Sequence, residues 1–441
     1  MTTRPRPTFA ALLGLALAAP ALAADGPPPV AATRPELKQF LEDSKHNRPR
    51  LPLPELTPEE REKAAKGDWS VVNNGRMRRS YLPPELAGGG LTRDPEPAMS
   101  LGYPFQTMLF WIVSRANNCT YCMGHQESKL AAAGLPEDRV AALDGDWSEF
   151  TEAERAAMVL ARKLTLRPDT VNAADIEALR RHETDLQVLE VIVSTAGFNA
   201  MNRWTGALKI PQEEHRDYLS ATSAKYRDGA SRVAPLSADR PGSAMACAAP
   251  SRRPPLESAE AVAKGLEACR GRTPLIPLAS EAQARALLPA DASGSVATQE
   301  WARLLANFPK AGGARIGLHL AAEEKGTLDR KLRAEIAYTA ARLDRAWYAL
   351  GHARRRLAGF GVTEAGVAAL DGPLDAFAPG ERAALALARK LTTDPALIDD
   401  ADVAALRPHF TDKQVAEVIH QVAEAAFFDR VTEATRLRLE D

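Results

Sequence analysis

Strong charge of either sign is missing from this sequence: 56 Lys and Arg stand against 57 Asp and Glu, a formal net charge of −1. A sequence pI of about 6.7 offers no electrostatic footing for nucleic acid, and none is expected as a partner. The one basic cluster, Arg354-Arg355-Arg356, has acidic helices around it and reads as a solvated helix face. Alternating strand patterns bounded by hairpin turns are also missing, which excludes an all-β or mixed sheet fold. Long apolar runs are confined to the N-terminus. There Arg4 and Arg6 precede FAALLGLALAAPALA, which ends in Ala21-Leu22-Ala23. This is a charged region, an apolar region and a small-x-small site, so an export signal cut after Ala23 is expected. Gly14 and Pro20 interrupt the run, which falls short of the ~20 residues a spanning helix needs. No cysteine follows it, so a lipid anchor is not expected. The mature chain is expected to be periplasmic or secreted, with no membrane partner.

What is present is helical. The 441 residues exceed what one core usually organises, so two domains are the natural reading. Residues 24–69 read as a loosely packed arm, with a helical candidate at Pro35–Asp43 and a capped helix starting at TPEE, 57–60. Residues 70–100 carry Pro-Pro and Gly-Gly-Gly and read as irregular. PFQTMLFWIVSRA, 104–116, reads as a buried helix, and TEAE at 151–154 and TDLQ at 184–187 are capping boxes that open two more. Residues 224–297, rich in Pro, Ser and Ala, read as a linker with one possible helix near 257–268.

The strongest organisational fact is a repeat. Glu154–Thr165 (ERAAMVLARKLT) matches Glu381–Thr392 (ERAALALARKLT) at ten of twelve positions, an offset of 381 − 154 = 227. The same offset carries AALDG from 141–145 to 368–372 and TDLQVLEVI at 184–192 onto TDKQVAEVI at 411–419. The expected organisation is a signal at 1–23, an arm at 24–69, a first domain at 70–223, the linker, and a second domain at 298–441. One position breaks the likeness chemically. NNCTYCMGHQ, 117–126, falls on DRAWYALGHA, 344–353, so Tyr121, Gly124 and His125 recur while Cys119 and Cys122 become Ala346 and Ala349.

Asn is a favoured N-cap, so Asn118 is expected to cap a helix with Cys119 at its first position and Cys122 one turn in. The free N–H groups and dipole there favour a thiolate, the form that attacks peroxides or disulfides. His125 follows Cys122 by three and shares its helix face, where a neutral imidazole could take the thiol proton and return it to a leaving oxygen or sulfur. The other cysteine would then resolve the intermediate as a disulfide. Three readings stay open at this point: a redox dithiol, a structural disulfide clip in a scaffold or binding protein, and half a metal site. A c-type haem needs the histidine directly after the second cysteine, and Met123-Gly124 intervene. Zinc needs about four ligands, and Cys247 and Cys269 lack the spacing; they read as a linker disulfide. No metal or cofactor is expected.

The Asn-x-Cys-x-Tyr-Cys stretch with its nearby His, the ERA…A..LT helix and a terminal helix ending in Asn-Arg together resemble the carboxymuconolactone decarboxylase family, in its AhpD-like alkyl hydroperoxidase branch. The resemblance covers roughly 95–215 with the motif and 300–436 without it. It implies an all-α fold, two tandem AhpD-like orthogonal helical bundles joined by a Pro/Ser/Ala-rich linker, often assembled into homo-oligomers. It implies peroxiredoxin-type reduction of a small hydroperoxide or disulfide by the dithiol, with an external thiol reductant. Carried over, Cys122 would be the attacking cysteine, Cys119 the resolving one and His125 the proton relay. The branch's glutamate twelve residues before the first cysteine is here Thr107; Glu190 is the candidate replacement, although Glu417 repeats it. The family's lyase branch works without the dithiol; the intact cysteines of the first repeat argue against it, and the second repeat, whose His352 could serve as an acid–base group, does not exclude it.

Overall fold

The computed structural model describes residues 30–66, 68, 71–88, 96–220 and 253–440, and among these every regular element is a helix. The expected signal at 1–23 and Cys247 lie outside the described residues. The first half contains α1 (Arg34–Asp43), α2 (Pro58–Ala65), α3 (Asn73–Tyr81), α4 (Pro84–Ala87), α5 (Tyr103–Ala116), α6 (Thr120–Ala132), α7 (Glu137–Ala141), α8 (Glu152–Leu166), α9 (Ala173–Arg180) and α10 (Asp185–Ala207). The second contains α11 (Ala259–Arg270), α12 (Glu281–Arg285), α13 (Glu300–Leu305), α14 (Pro309–Glu324), α15 (Arg330–Asp344), α16 (Trp347–Gly359), α17 (Glu364–Ala369), α18 (Pro379–Thr393), α19 (Asp400–Ala404) and α20 (Asp412–Ala434). Among the described residues no helix is long and apolar enough to cross a membrane.

The capping boxes mark starts as expected: Thr151 with Glu154 opens α8, and Thr184 with Gln187 opens α10. Each satisfies two backbone N–H groups that the helix cannot. α5 packs against α6, α8 and α10, and α15 repeats this against α16, α18 and α20. Trp111, Ile112 and Val113 of α5 and Val188, Leu189 and Ile192 of α10 are fully buried. Each such side chain contributes about 1.5–3 kcal/mol by leaving water.

Two expectations about the flanks need correction. The arm is not loosely packed throughout, because α1 lies on α6 with Leu37 and Leu41 buried. The Lys38 ammonium bonds Glu127 at 2.6 Å, and the Arg34 guanidinium grips the same carboxylate. Nor is the later part of 224–297 a spacer. α11 lies on α16 with Val262, Leu266 and Cys269 buried, and a Cβ on Gly265 would sit 2.5 Å from the Trp347 ring. α1 and α11 are counterparts, ending at 43 and 270, again 270 − 43 = 227. Residues 70–100, expected to be irregular, contain α3 and α4. The expected Cys247–Cys269 disulfide involves a residue outside the described ones; Cys269 itself is a buried free thiol whose Sγ donates to the Leu437 carbonyl at 3.5 Å.

The halves join where α10 crosses α20. Arg203 donates to the Thr392 carbonyl at 3.0 Å, and Arg430 donates to the Thr165 carbonyl at 3.0 Å. Both donors and acceptors are related by 227, since 430 − 203 = 392 − 165. The interface is therefore pseudo-symmetric down to single hydrogen bonds.

Candidate active site

The chain leaves α5 through Asn118, whose φ of 49° is left-handed, a region Asn tolerates better than most residues. Cys119 follows in extended backbone as the N-cap of α6, its N–H bonded to the Ser114 carbonyl at 2.8 Å. This shifts the expected register by one. Asn118 turns the chain rather than capping it, Cys119 is the cap itself, and Cys122 is the third residue of the helix. Arg345 repeats the turn in the second half with φ 53°.

Both cysteines are free thiols, and both sulfurs meet one hydroxyl on α10. The Thr205 Oγ1 lies 3.1 Å from Cys119 Sγ and 3.0 Å from Cys122 Sγ. Burial alone would raise both thiols. For Cys119 this is overcome by its hydrogen-bond contacts with the Cys122 thiol and the Thr205 hydroxyl, and its pKa falls below the usual thiol value. Burial and the neighbouring Cys119 push Cys122 well up. Of the two sulfurs, Cys119 is therefore the one that gives up its proton first. Access runs the other way. Cys122, not Cys119, lines a cleft of about 670 Å³ together with His125, Lys129 and Arg216.

Around His125 a network forms that the spacing did not reveal. Its Nε2 lies 2.8 Å from Glu213 Oε2, and Arg216 reaches its Nδ1 at 3.4 Å. Because Arg216 can only donate, Nδ1 is the acceptor and the ring proton sits on Nε2, facing Glu213. The direct Cys122–His125 contact expected from their shared helix face is therefore not made: the sulfur turns to Thr205 and the imidazole to Glu213. Burial lowers the His125 pKa more than Glu213 raises it, so the ring is neutral near pH 7. Glu213 also accepts the Tyr121 hydroxyl at 2.9 Å, the Asn73 N–H at 2.9 Å and Arg216 Nε at 3.0 Å. Gly124 permits the close approach of this tail to α6, since a Cβ there would fall 2.3 Å from Gln212 Nε2.

Glu213, rather than Glu190, is the carboxylate of the site. Glu190 accepts the Ser100 and Leu101 N–H groups at 2.8 and 3.1 Å, and Glu417 does the same for Thr327 and Leu328, so both fix the chain ahead of a helix. The signal for Glu213 was present in the repeat. Glu440 is its counterpart, 440 − 213 = 227, and it accepts Tyr348 at 2.7 Å and pairs with His352 at 3.1 Å.

No family model matches this chain, and no curated protein matches it. The comparison that remains is between its own halves. The second keeps Tyr348, His352 and Glu440 but closes the cleft. Phe428 stands where the first half has Met201 and stacks on His319 at 4.1 Å, leaving a cavity of about 30 Å³. Asp429 replaces Asn202, the amide that hydrogen-bonds Cys122. A carboxylate there would oppose a thiolate. Among the described residues no group of three or more His, Cys, Asp or Glu is arranged to hold a metal ion.

The networks imply an acid limit to stability. Burial would raise Glu213, but the His125 hydrogen bond and the charges of His125 and Arg216 bring it down to about 2; Glu440 likewise falls to about 2 beside His352 and Tyr348. A depressed carboxyl stabilises the fold above its ordinary value of 4.5 and loses that contribution as pH falls toward 2. The urea midpoint is expected to drop between pH 5 and about pH 3, and Glu213→Gln with Glu440→Gln should flatten that slope. An unchanged slope in the double variant would show that other carboxylates control it.

Proposed function

We propose that this chain is an exported thiol peroxidase-like oxidoreductase: two tandem AhpD-like bundles, the first reducing hydroperoxides through Cys119 and Cys122, the second a non-catalytic copy that supplies an interface. The observation that carries this is the pair of sulfurs sharing the Thr205 hydroxyl, one of them opening on a cleft, in the half where the cleft is open. The Cys122 thiolate forms when its proton passes to an ionised Cys119, and it attacks the outer oxygen of the hydroperoxide. The O–O bond breaks, the sulfur becomes a sulfenic acid, and the departing alkoxide takes a proton to become the alcohol. His125, on the wall of the same cleft, is the group placed to relay a proton from solvent to that oxygen. The Cys119 thiol then displaces water from the sulfenic acid to close the disulfide, which an external dithiol reduces. The test is peroxide consumption by the full chain with dithiothreitol as electron source. Turnover that depends on both protein and dithiol is expected, and none with any organic hydroperoxide would sink the proposal.

A second reading has one observation in its favour. Cys119 and Cys122 are only 3% and 2% exposed, as a structural disulfide clip in a scaffold would be. Such a clip should resist reduction by glutathione, whereas the catalytic pair should be reduced readily, so the reduction potential separates the two.

A further inference from the structure

The walls of the open cleft differ sharply. Tyr103, Phe110 and Met201 form an apolar side, with Phe110 backed by Phe198 in a stack at 4.1 Å. Lys129 and Arg216 form a cationic side next to His125. Arg216 is engaged with Glu213 and His125, but among the described residues no carboxylate pairs with Lys129. Burial and the Arg216 charge lower the Lys129 pKa, and the Cys122 sulfur offsets this in part. The second half supplies an internal control. Lys129 corresponds to Arg356, 356 − 129 = 227, and in that closed copy the guanidinium has its own counter-ion, Glu323 at 2.9 Å. Among the described residues, the half that keeps an open cleft gives its cation none.

We propose that the Cys122 cleft selects amphipathic monoanions, organic hydroperoxides with an apolar body and a carboxylate, the body lying along Tyr103, Phe110 and Met201 and the carboxylate on Lys129. This rests on the peroxidase reading and names its substrate class. A partly desolvated ammonium with no carboxylate partner among the described residues is where an anionic group gains most, because a charge-assisted hydrogen bond is about twice as strong as a neutral one. The apolar wall accounts for the rest of the ligand, as in most small-molecule sites.

The experiment compares linoleic acid hydroperoxide with its methyl ester on the full chain, in the wild type and in Lys129→Gln. In the wild type kcat/KM for the acid should exceed that for the ester by about tenfold, and in Lys129→Gln the ratio should fall to about one. Turnover of both at equal kcat/KM in the wild type overturns the substrate assignment and leaves the peroxidase reading standing. Turnover of neither overturns the peroxidase reading; the unreactive hydroxy acid and its methyl ester, titrated by calorimetry, then decide the rest. Tighter binding of the acid that is lost in Lys129→Gln supports the anion site, whereas equal binding of both, or none, overturns it.

Discussion

Cys122→Ser is expected to abolish dithiol-driven peroxide consumption, a loss on the order of 10³-fold or more, because a serine hydroxyl cannot form the thiolate-like nucleophile at neutral pH. Cys119→Ser should behave differently. The cleft-facing sulfur is still present, so one equivalent of peroxide should oxidise it to a sulfenic acid that dimedone traps. Turnover should then stall, since no resolving thiol closes the disulfide. The asymmetry follows from the geometry: only Cys122 lines the cleft, while Cys119 is the helix cap behind it. Mass spectrometry of the two variants after a single peroxide addition reads the result. Dimedone adducts on Cys119 in Cys122→Ser, and none on Cys122 in Cys119→Ser, would reverse the assignment. That outcome has a physical route, because the Cys119 thiol is the one whose pKa is lowered.

The all-α class and the main helices were legible, and for a local reason. Thr151 with Glu154 and Thr184 with Gln187 are signals confined to four residues, and the apolar period follows each one. The 227-residue offset then carried the second box to Thr411 with Gln414, and the likeness of sequence carried the first helix, whose cap position is Ala378. What escaped was held by distant contacts. α3, NNGRMRRSY, has poor helix propensity and no side-chain cap of its own. Its first N–H groups are instead satisfied by Glu213 and by the Tyr121 hydroxyl, 140 and 47 residues away. Glu213 was missed for the same reason, since 88 residues separate it from His125. The one-residue error at Asn118 had another cause: Asn suits both an N-cap and a left-handed turn, and the local sequence does not choose between them.

Asp344→Asn is expected to destabilise the protein by roughly 3–5 kcal/mol, the range for breaking a buried ion pair from one side. Asp344 is fully buried and accepts Arg430 at 2.9 Å and Arg253 at 2.7 Å, and its charge also reaches Arg203. Removing that charge leaves three guanidinium groups in low dielectric. The neighbouring Asp429 is a poor substitute: burial is the main cause that pushes its carboxyl well up, and it persists when the like charge of Asp344, the second cause, is removed. The first half shows what a neutral version needs: Asn117 there donates to Asn199 at 3.1 Å and to Asn202 at 2.9 Å, a network of amides built as a set. A single amide at 344 has no such set around it. Urea unfolding of the purified chain measures the loss, and a change below about 1 kcal/mol would show that the guanidinium groups find other partners.

Arg430 and Arg203, which each reach a carbonyl of the opposite half, would in a homodimer be one contact made twice by two molecules. Here a single chain makes both. Assembly of this interface is therefore first order, set by an effective concentration rather than by how much protein is present, and dilution has no means of separating the halves. A substitution at one copy is also no longer imposed on the other. Such freedom is what allows one half to lose two thiols, gain Phe428 and close its cleft while the other keeps a cleft open beside its own pair.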